Sequence, residues 1–305
     1  MKKSIEGNLS IGISKMFSGF NMNALKFLLP VWIAPITGVT FRLVFGAIAF
    51  WIIGIFCKPE NATLKQKLYL LLLGGLGMYG FMAFYLAGLS YTTPVSSSIF
   101  LSLEPIWVFV ITVIFFGERI TSLKIFGILL GLSGALLCII FQPTNDLASN
   151  AFLGNMFSLI SSVIYAIFLI FSKRLLIGIG NMTMLKFTFL GAAIVSVVVN
   201  YFYGFDAPIL SQPFFSLPVL ALLFVLLFPT TLSYLLLPIG LKYLSATLVA
   251  IYGYLILVVA TITSFILGQD RFSWIQCAAI ILICISVYLV EIAEKKSSSS
   301  EPKLN

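Results

Sequence analysis

Apolar positions along the chain gather into ten stretches of about twenty residues, at approximately 8–28, 34–56, 67–88, 93–115, 122–141, 151–172, 182–203, 217–240, 244–267 and 272–293. At about 1.5 Å of rise per residue, each is long enough to cross a hydrocarbon core of about 30 Å as a helix. None alternates strictly between apolar and polar, as a barrel strand would. Lipid offers no hydrogen bonds, so a spanning segment must pair its backbone internally, and a helix does that. The pattern predicts an all-α polytopic membrane protein with ten transmembrane helices. Only the connections at 57–66, 142–150 and 204–216 have much length, and no soluble domain is inserted. The segment 295–305 holds Ser297 to Ser300 in a row and reads as a disordered tail.

Composition agrees with this solvent. Hydrophobic residues make up 60% of the chain and charged residues 9%, with a mean hydropathy of +1.11. A soluble domain carries about 25% charged residues. The net charge of +8 does not imply nucleic acid, because the basic residues sit in short clusters between apolar runs. The chain has no histidine, which removes the commonest metal ligand and the readiest proton relay. No metal, cofactor or nucleic acid is expected. Cys57, Cys138, Cys277 and Cys284 show neither metal nor redox spacing, and ordinary packing accounts for the last two on one helix face. Met1 to Ser10 is short and polar, and no small-residue cleavage site follows the first apolar run, so no cleavable signal peptide is expected.

Basic residues also orient the chain. With the N-terminus in the cytoplasm, the inner segments collect Lys2, Lys3, Lys15, Lys58, Lys65, Lys67, Arg119, Lys124, Lys173, Arg174, Lys242, Lys295, Lys296 and Lys303, fourteen of eighteen. The outer loops hold Arg271 alone, together with Asp146, Asp206 and Asp270. The positive-inside rule then places both termini in the cytoplasm of a bacterial-type inner membrane.

Internal similarity divides the chain. Gly88-Leu89-Ser90-Tyr91 matches Gly240-Leu241-Lys242-Tyr243 at an offset of 152, and Gly117-Glu118-Arg119 parallels Gly268-Gln269-Asp270-Arg271. Each match falls at a corresponding span boundary. Two five-span repeats are expected, at 1–145 and 146–294, followed by the tail at 295–305. Five is odd, so the second repeat must enter the membrane inverted, an architecture that recurs in secondary transporters.

The chain resembles the EamA-like branch of the drug/metabolite transporter superfamily. The resemblance is carried by Ser18-Gly19-Phe20-Asn21-Met22-Asn23-Ala24-Leu25-Lys26, Phe41-Arg42-Leu43, Ala87-Gly88-Leu89-Ser90-Tyr91-Thr92, Glu104-Pro105, Gly117-Glu118-Arg119 and Leu241-Lys242-Tyr243-Leu244-Ser245-Ala246-Thr247. It covers nearly the whole chain, and the order and spacing of these loose motifs are its specific part. It implies ten helices, a central cavity between the halves, and export or exchange of metabolites. Ser18 stands where the family's usual Trp would, Gly253-Tyr254 where Glu-Pro would, and Gln269-Asp270 where Glu-Arg would.

Charges inside spans are the strongest site candidates, since each costs about 2.5–3.5 kcal/mol at mid-membrane on insertion scales. Lys26, Arg42 and Glu104 qualify. Glu104 lies about ten residues into the fourth span, about 15 Å deep. There it pairs with Lys26 or Arg42, titrates during transport, or serves only to lock helices together. Lys26 and Arg42 lie in the outer parts of their spans, where snorkelling to the interface competes with a role in the path. Asn23 stands beside Lys26. Lys186 is read as snorkelling to the cytoplasmic side, and Glu118 as a helix-opening carboxylate. Helix breaks are the second marker. Pro105 removes a backbone hydrogen bond in mid-span. Pro229-Thr230-Thr231 interrupts the eighth span, and subtracting 152 leads to Gly77 in the glycine cluster of the third. Broken segments at matching places mark transporter sites, with close helix packing as the competing reading. Gly127 and Gly131 are read as packing alone. Tyr85, Tyr165, Tyr234, Tyr252 and Tyr254, with Thr230, Thr231 and Ser96 to Ser98, describe a moderately polar path.

The function class expected is a secondary transporter that exports a small amino-acid-like or amphipathic metabolite by alternating access, as a monomer or homodimer. No Walker A motif supplies ATP drive, and proton coupling, exchange and uncoupled transport all fit. A membrane enzyme lacks HExxH, GxSxG or a close pair of intramembrane carboxylates. A receptor or scaffold has only the missing signalling domain and the inverted halves against it.

Overall fold

A computed structural model of the chain describes residues 2–58, 60–116, 121–140, 148–176, 178–244, 249, 252–270 and 273–299. Every regular element among them is helical. α1 (Lys2–Leu28) and α2 (Pro35–Ile55) come first. The third apolar stretch is one rod made of α3 (Leu64–Leu72), a π-helical turn (Leu73–Met78) and α4 (Tyr79–Tyr91). The fourth divides into α5 (Pro94–Leu101) and α6 (Glu104–Phe116). Then follow α7 (Ser122–Ile140), α8 (Ala151–Leu175) and α9 (Asn181–Tyr203). A second rod joins α10 (Leu217–Val225), another π-helical turn (Leu226–Leu232) and α11 (Ser233–Tyr243), before α12 (Gly253–Ile266) and α13 (Trp274–Ser299).

Among the described residues six stretches are long and apolar enough to cross a membrane: Pro35–Ile55, Leu64–Tyr91, Pro94–Phe115, Ala151–Leu175, Asn181–Tyr203 and Leu217–Tyr243. The chain is a polytopic helical membrane protein. α1 is as long, but Glu6, Lys15 and Lys26 interrupt its apolarity. The apolar runs at Ile125–Gly134, Gly253–Ile266 and Cys277–Ser286 are shorter. α13 continues to Ser299, so residues 295–299 are helical where a disordered tail was expected. The run Glu291 to Lys296 contains strong helix formers, which carry the last turns out of the apolar region. Glu118 and the turn beginning at Gly117 lie outside the described residues.

Local chemistry explains several boundaries. Thr63 and Gln66 form a reciprocal capping box at the start of α3. Thr93 accepts from the Ser96 N–H ahead of Pro94, which occupies the first turn of α5 where no N–H is needed. Gly204 ends α9 at φ 93°, a conformation that L side chains rarely adopt.

Packing pairs α2 with α9, α4 with α8, α7 with α13, and α1 with both α11 and α12. The outer faces carry large exposed apolar side chains, among them Ile55, Leu76, Phe115, Phe202 and Phe215. Between helices a buried apolar core that includes Phe50, Phe168 and Phe189 is joined by small polar contacts: Ser97 with Ser158 at 2.9 Å, Thr92 to Asn155 at 2.8 Å and Thr37 to Asn200 at 3.0 Å. Such contacts suit lipid, where close backbone approach and interhelical hydrogen bonds replace a hydrophobic driving force. The glycines of the third stretch serve this purpose. A Cβ on Gly74 would strike the Thr188 carbonyl of α9, and a Cβ on Gly191 would strike the Leu71 carbonyl of α3. Gly131 likewise abuts Ile106 and Ser286, and the Ser286 hydroxyl donates to the Gly127 carbonyl at 2.6 Å.

Because the reciprocal obstacle is backbone, Gly191→Ala should lower stability by about 1–3 kcal/mol. Thermal unfolding of purified protein in detergent checks this, with Gly178→Ala, where the nearest heavy atom is the flexible end of Gln66 at 3.5 Å, as the control.

Candidate functional site

Buried charge requires a partner, and following it leads to the centre of the bundle. Glu104 is the first residue of α6, just after the Ser102-Leu103 break. Its Oε2 lies 3.4 Å from Lys15 Nζ of α1, and both side chains are nearly sealed, at 3% exposed for Lys15 and 4% for Glu104. Lys15 Nζ also stands 5.2 Å from the centre of the Tyr165 ring of α8, within cation–π range. On the other side Arg42 of α2, 3% exposed, donates from Nε to Thr230 Oγ1 at 2.9 Å. Thr230 is presented by the second π-helical turn, and Pro229 beside it supplies no N–H to the helical ladder. A π turn exposes side chains that a straight helix would carry past the site.

These groups line one cavity of about 80 Å³. α1 contributes Ser14, Lys15, Ser18, Asn21 and Met22; α2 contributes Arg42; α4 contributes Phe81 and Tyr85. Leu101, Glu104 and Tyr165 come from α5, α6 and α8. Pro229, Ser233, Tyr234 and Leu237 come from the second rod, and Ile256 from α12. Asn21 Nδ2 donates to the Tyr85 hydroxyl at 3.5 Å. Aromatic contacts stiffen the wall: Phe81 with Tyr165 at 4.8 Å and Tyr234 with Phe189 at 5.0 Å between ring centres. Arg42 Nη1, Glu104 Oε1 and Asn21 Oδ1 are buried with no hydrogen-bond partner among the described residues. The arrangement can hold a small polar solute away from lipid. No group of three or more metal-ligating side chains occurs among the described residues.

The sequence profile of the EamA-like transporter family matches residues 6–140 and again residues 152–292. The chain belongs to that family. A curated relative described as "Uncharacterized transporter YyaM", from Bacillus subtilis (strain 168), is 23% identical over 256 residues, covering 83% of each chain. A solved structure described as "Crystal structure of protein" superposes with a TM-score of 0.67 at 17% identity, covering 94% of this chain and 97% of that one. That likeness shows a shared fold. Membership makes the chain a multi-pass membrane transporter, in a family and beside a relative that are transporters rather than enzymes.

In this EamA-like chain the structure gathers six of the sequence candidates, Arg42, Tyr85, Glu104, Tyr165, Pro229 and Tyr234, around the cavity, with Thr230 directly behind Arg42. The others lie elsewhere. Lys26 donates to the Leu89 and Ser90 carbonyls at 3.1 and 3.3 Å, closing the end of α4. Asn23 donates to the Ala260 carbonyl at 3.1 Å. Tyr252 donates to Asn8 at 3.0 Å. Tyr254 packs in a separate apolar cluster around Ile99 and Leu257. Gly77 lines an outer apolar groove beside Leu76 and Phe171. Pro105 sits in the first turn of α6, so it opens a helix instead of kinking one.

Three expectations need correction. Glu104 pairs with Lys15, and neither Lys26 nor Arg42 fills that role. Lys15 does not belong with the exposed basic clusters: α1 runs unbroken from Lys2, which places Lys15, buried, about halfway along a helix of about 40 Å. Arg42 does not snorkel, because Thr230 holds its guanidinium inside. Sequence reasoning also missed Ser14, Ser18, Asn21 and Ser233, although the four-residue spacing of Ser14 and Ser18 with Lys15 and Asn21 marks one polar face on α1.

A buried ion pair stripped of one member leaves the other uncompensated, at a cost of about 3–5 kcal/mol. Lys15→Met and Glu104→Leu should each destabilise the protein by about that amount, and the double variant by much less. Thermal unfolding of the four proteins in one detergent measures the difference.

Proposed function

We propose that this protein is a secondary transporter that carries a small metabolite across a bacterial-type inner membrane by alternating access, in the direction of export. The observation that carries this reading is the cavity in which the buried side chains of Lys15, Arg42 and Glu104 meet between helices drawn from both family-matched stretches. Charge at such depth is costly unless it serves a path.

The reading includes ten spans arranged as two inverted five-span halves, with both termini cytoplasmic. Paired details of packing support it. α4 and α11 each end on a tyrosine, Tyr91 and Tyr243, followed by an extended residue whose N–H donates to the glycine four positions back. Ser14 of α1 donates to the Ser233 carbonyl at 3.0 Å, and Ser161 of α8 to the Phe81 carbonyl at 2.9 Å. Positions 233 and 81 differ by the repeat offset. Lys26 holds the Leu89 carbonyl as Lys173 holds the Leu241 carbonyl, again at that offset. The two π-helical turns fall at matching places. In opposite orientations the two lysines would brace opposite ends of the bundle, and because each brace consists of few hydrogen bonds either end could open without unfolding a helix.

Glu104→Gln keeps an oxygen for Lys15 to donate to but removes the ionisable carboxyl. It should insert normally and lower transport by about tenfold or more, with the pH dependence of the wild type abolished. Purified protein in liposomes at several pH values measures this, and an unchanged rate and pH profile would remove the Glu104 carboxyl from the transport step. The inverted arrangement has its own check. Native Cys57, exposed in the connection after α2, should react with an impermeant maleimide only from the cytoplasmic side. Ser211→Cys, in the connection after α9, should react only from outside. Labelling of both from one side removes the inversion.

A further inference from the structure

The cavity contains two cations, Lys15 and Arg42, and one anion, Glu104. The contacts divide these charges unequally. Lys15 and Glu104 neutralise each other at 3.4 Å. Arg42 faces no carboxylate among the described residues. Its only hydrogen bond among the described residues runs from Nε to the neutral Thr230 hydroxyl at 2.9 Å, and Nη1 is buried without a partner. A guanidinium is a rigid planar fork, so fixing Nε against Thr230 also fixes where the free edge points. The cavity is thus left with one positive charge in excess and a directed pair of donors. Glu104 Oε1 and Asn21 Oδ1 are buried acceptors with no donor among the described residues.

Building on the carrier reading, we propose that the transported solute is a monoanionic carboxylate that also bears a hydroxyl or amide N–H, the chemistry of a hydroxy acid or an N-acylated amino acid. Its carboxylate accepts from the free edge of Arg42, and its hydroxyl or N–H donates to Glu104 Oε1. Its carbon skeleton packs on the rings of Tyr85, Tyr165 and Tyr234. One negative charge cancels the excess of the site. A zwitterion can place its carboxylate on Arg42 but brings no net charge, so its ammonium leaves the excess of one in place, and a cation raises the excess further. Carbon bodies of several shapes suit aromatic walls, whereas the charge requirement is strict because the site is closed off from water.

The test uses the full-length protein in liposomes, with the membrane potential clamped by potassium and valinomycin. The vesicles are loaded with 2-hydroxyisovalerate, N-acetylvaline, valine, choline and erythritol together, and efflux is followed by mass spectrometry against protein-free vesicles. The two monoanions should leave about tenfold faster than from protein-free vesicles, while valine, choline and erythritol leave at the protein-free rate. Arg42→Gln should remove that acceleration and Arg42→Lys should retain part of it, with both variants monodisperse by gel filtration. Faster efflux of valine, choline or erythritol than of the monoanions overturns the charge assignment and leaves the carrier reading standing. Wild-type efflux of the monoanions through Arg42→Gln also overturns it. If no compound leaves faster than from protein-free vesicles, the carrier reading fails and the assignment goes with it.

Discussion

Hydrocarbon does not tolerate a lone charge, and much of the geometry of this protein follows from how Lys15 and Glu104 satisfy that constraint together. Their pairing at 3.4 Å joins the middle of α1 to the first turn of α6. The chain must therefore stop and restart at Ser102 and Leu103 so that Glu104 begins a helix inside the bundle. The break in turn leaves room for the cavity, because a continuous fourth rod would carry an apolar side chain past that point. Pro105 fits the restart, since the first turn of a helix has no use for its missing N–H. Each feature is ordinary alone; the ion pair makes them depend on one another.

The second rod meets a comparable problem by other means. Pro229 deprives the helix of one donor, and the ladder responds by widening into a π turn instead of breaking. The widened turn aims Thr230 at Arg42. The first rod has a π turn without proline, built on Gly74, Gly75 and Gly77, and its close neighbours are Thr188, Val195 and Phe168. Two turns of one geometry therefore have different local functions. The glycine turn lets α9 approach closely, and the proline turn furnishes the cavity.

This difference shows what could be read from the residues. The helical character of the long apolar stretches, the breaks near Gly77 and Pro229, and Arg42 and Glu104 as charges within spans were legible, because span length, backbone-breaking residues and buried charge are local properties with direct physical costs. The partner of Glu104 was not. Lys15 lies close enough to the N-terminus to pass for one of the cytoplasmic lysines, and only the three-dimensional approach of α1 to α6 distinguishes an ion pair from an interfacial cation. Lys26 shows the reverse error: a lysine inside a span seemed suited to the cavity, yet it donates to the carbonyls that α4 leaves open at its end. The tyrosines divide for the same reason. Their hydroxyls all need partners, but the sequence does not say which face of each helix points inward, so Tyr85, Tyr165 and Tyr234 line the cavity while Tyr252 reaches Asn8.

The two family-matched stretches contribute unequally to the cavity. All three charges come from the first. The second supplies tyrosine rings, hydroxyls and apolar surface, from Tyr165, Pro229, Thr230, Ser233, Tyr234 and Ile256. Repeated backbone architecture thus coexists with unrepeated chemistry. In the proposed carrier cycle, a repeated scaffold would let either end of the bundle open with similar effort. The unrepeated charges would anchor a solute to one wall, where Arg42 and the Lys15–Glu104 pair lie. The hydrogen bond from Arg42 to Thr230 and the Lys15 ammonium over the Tyr165 ring are charged contacts that span the two walls, and the first is the hydrogen-bonded one. Any rearrangement that separates them must either carry that bond along or exchange it for one to the solute. Binding that loosens the Thr230 contact would couple occupancy to movement, using only differential contacts within the cavity.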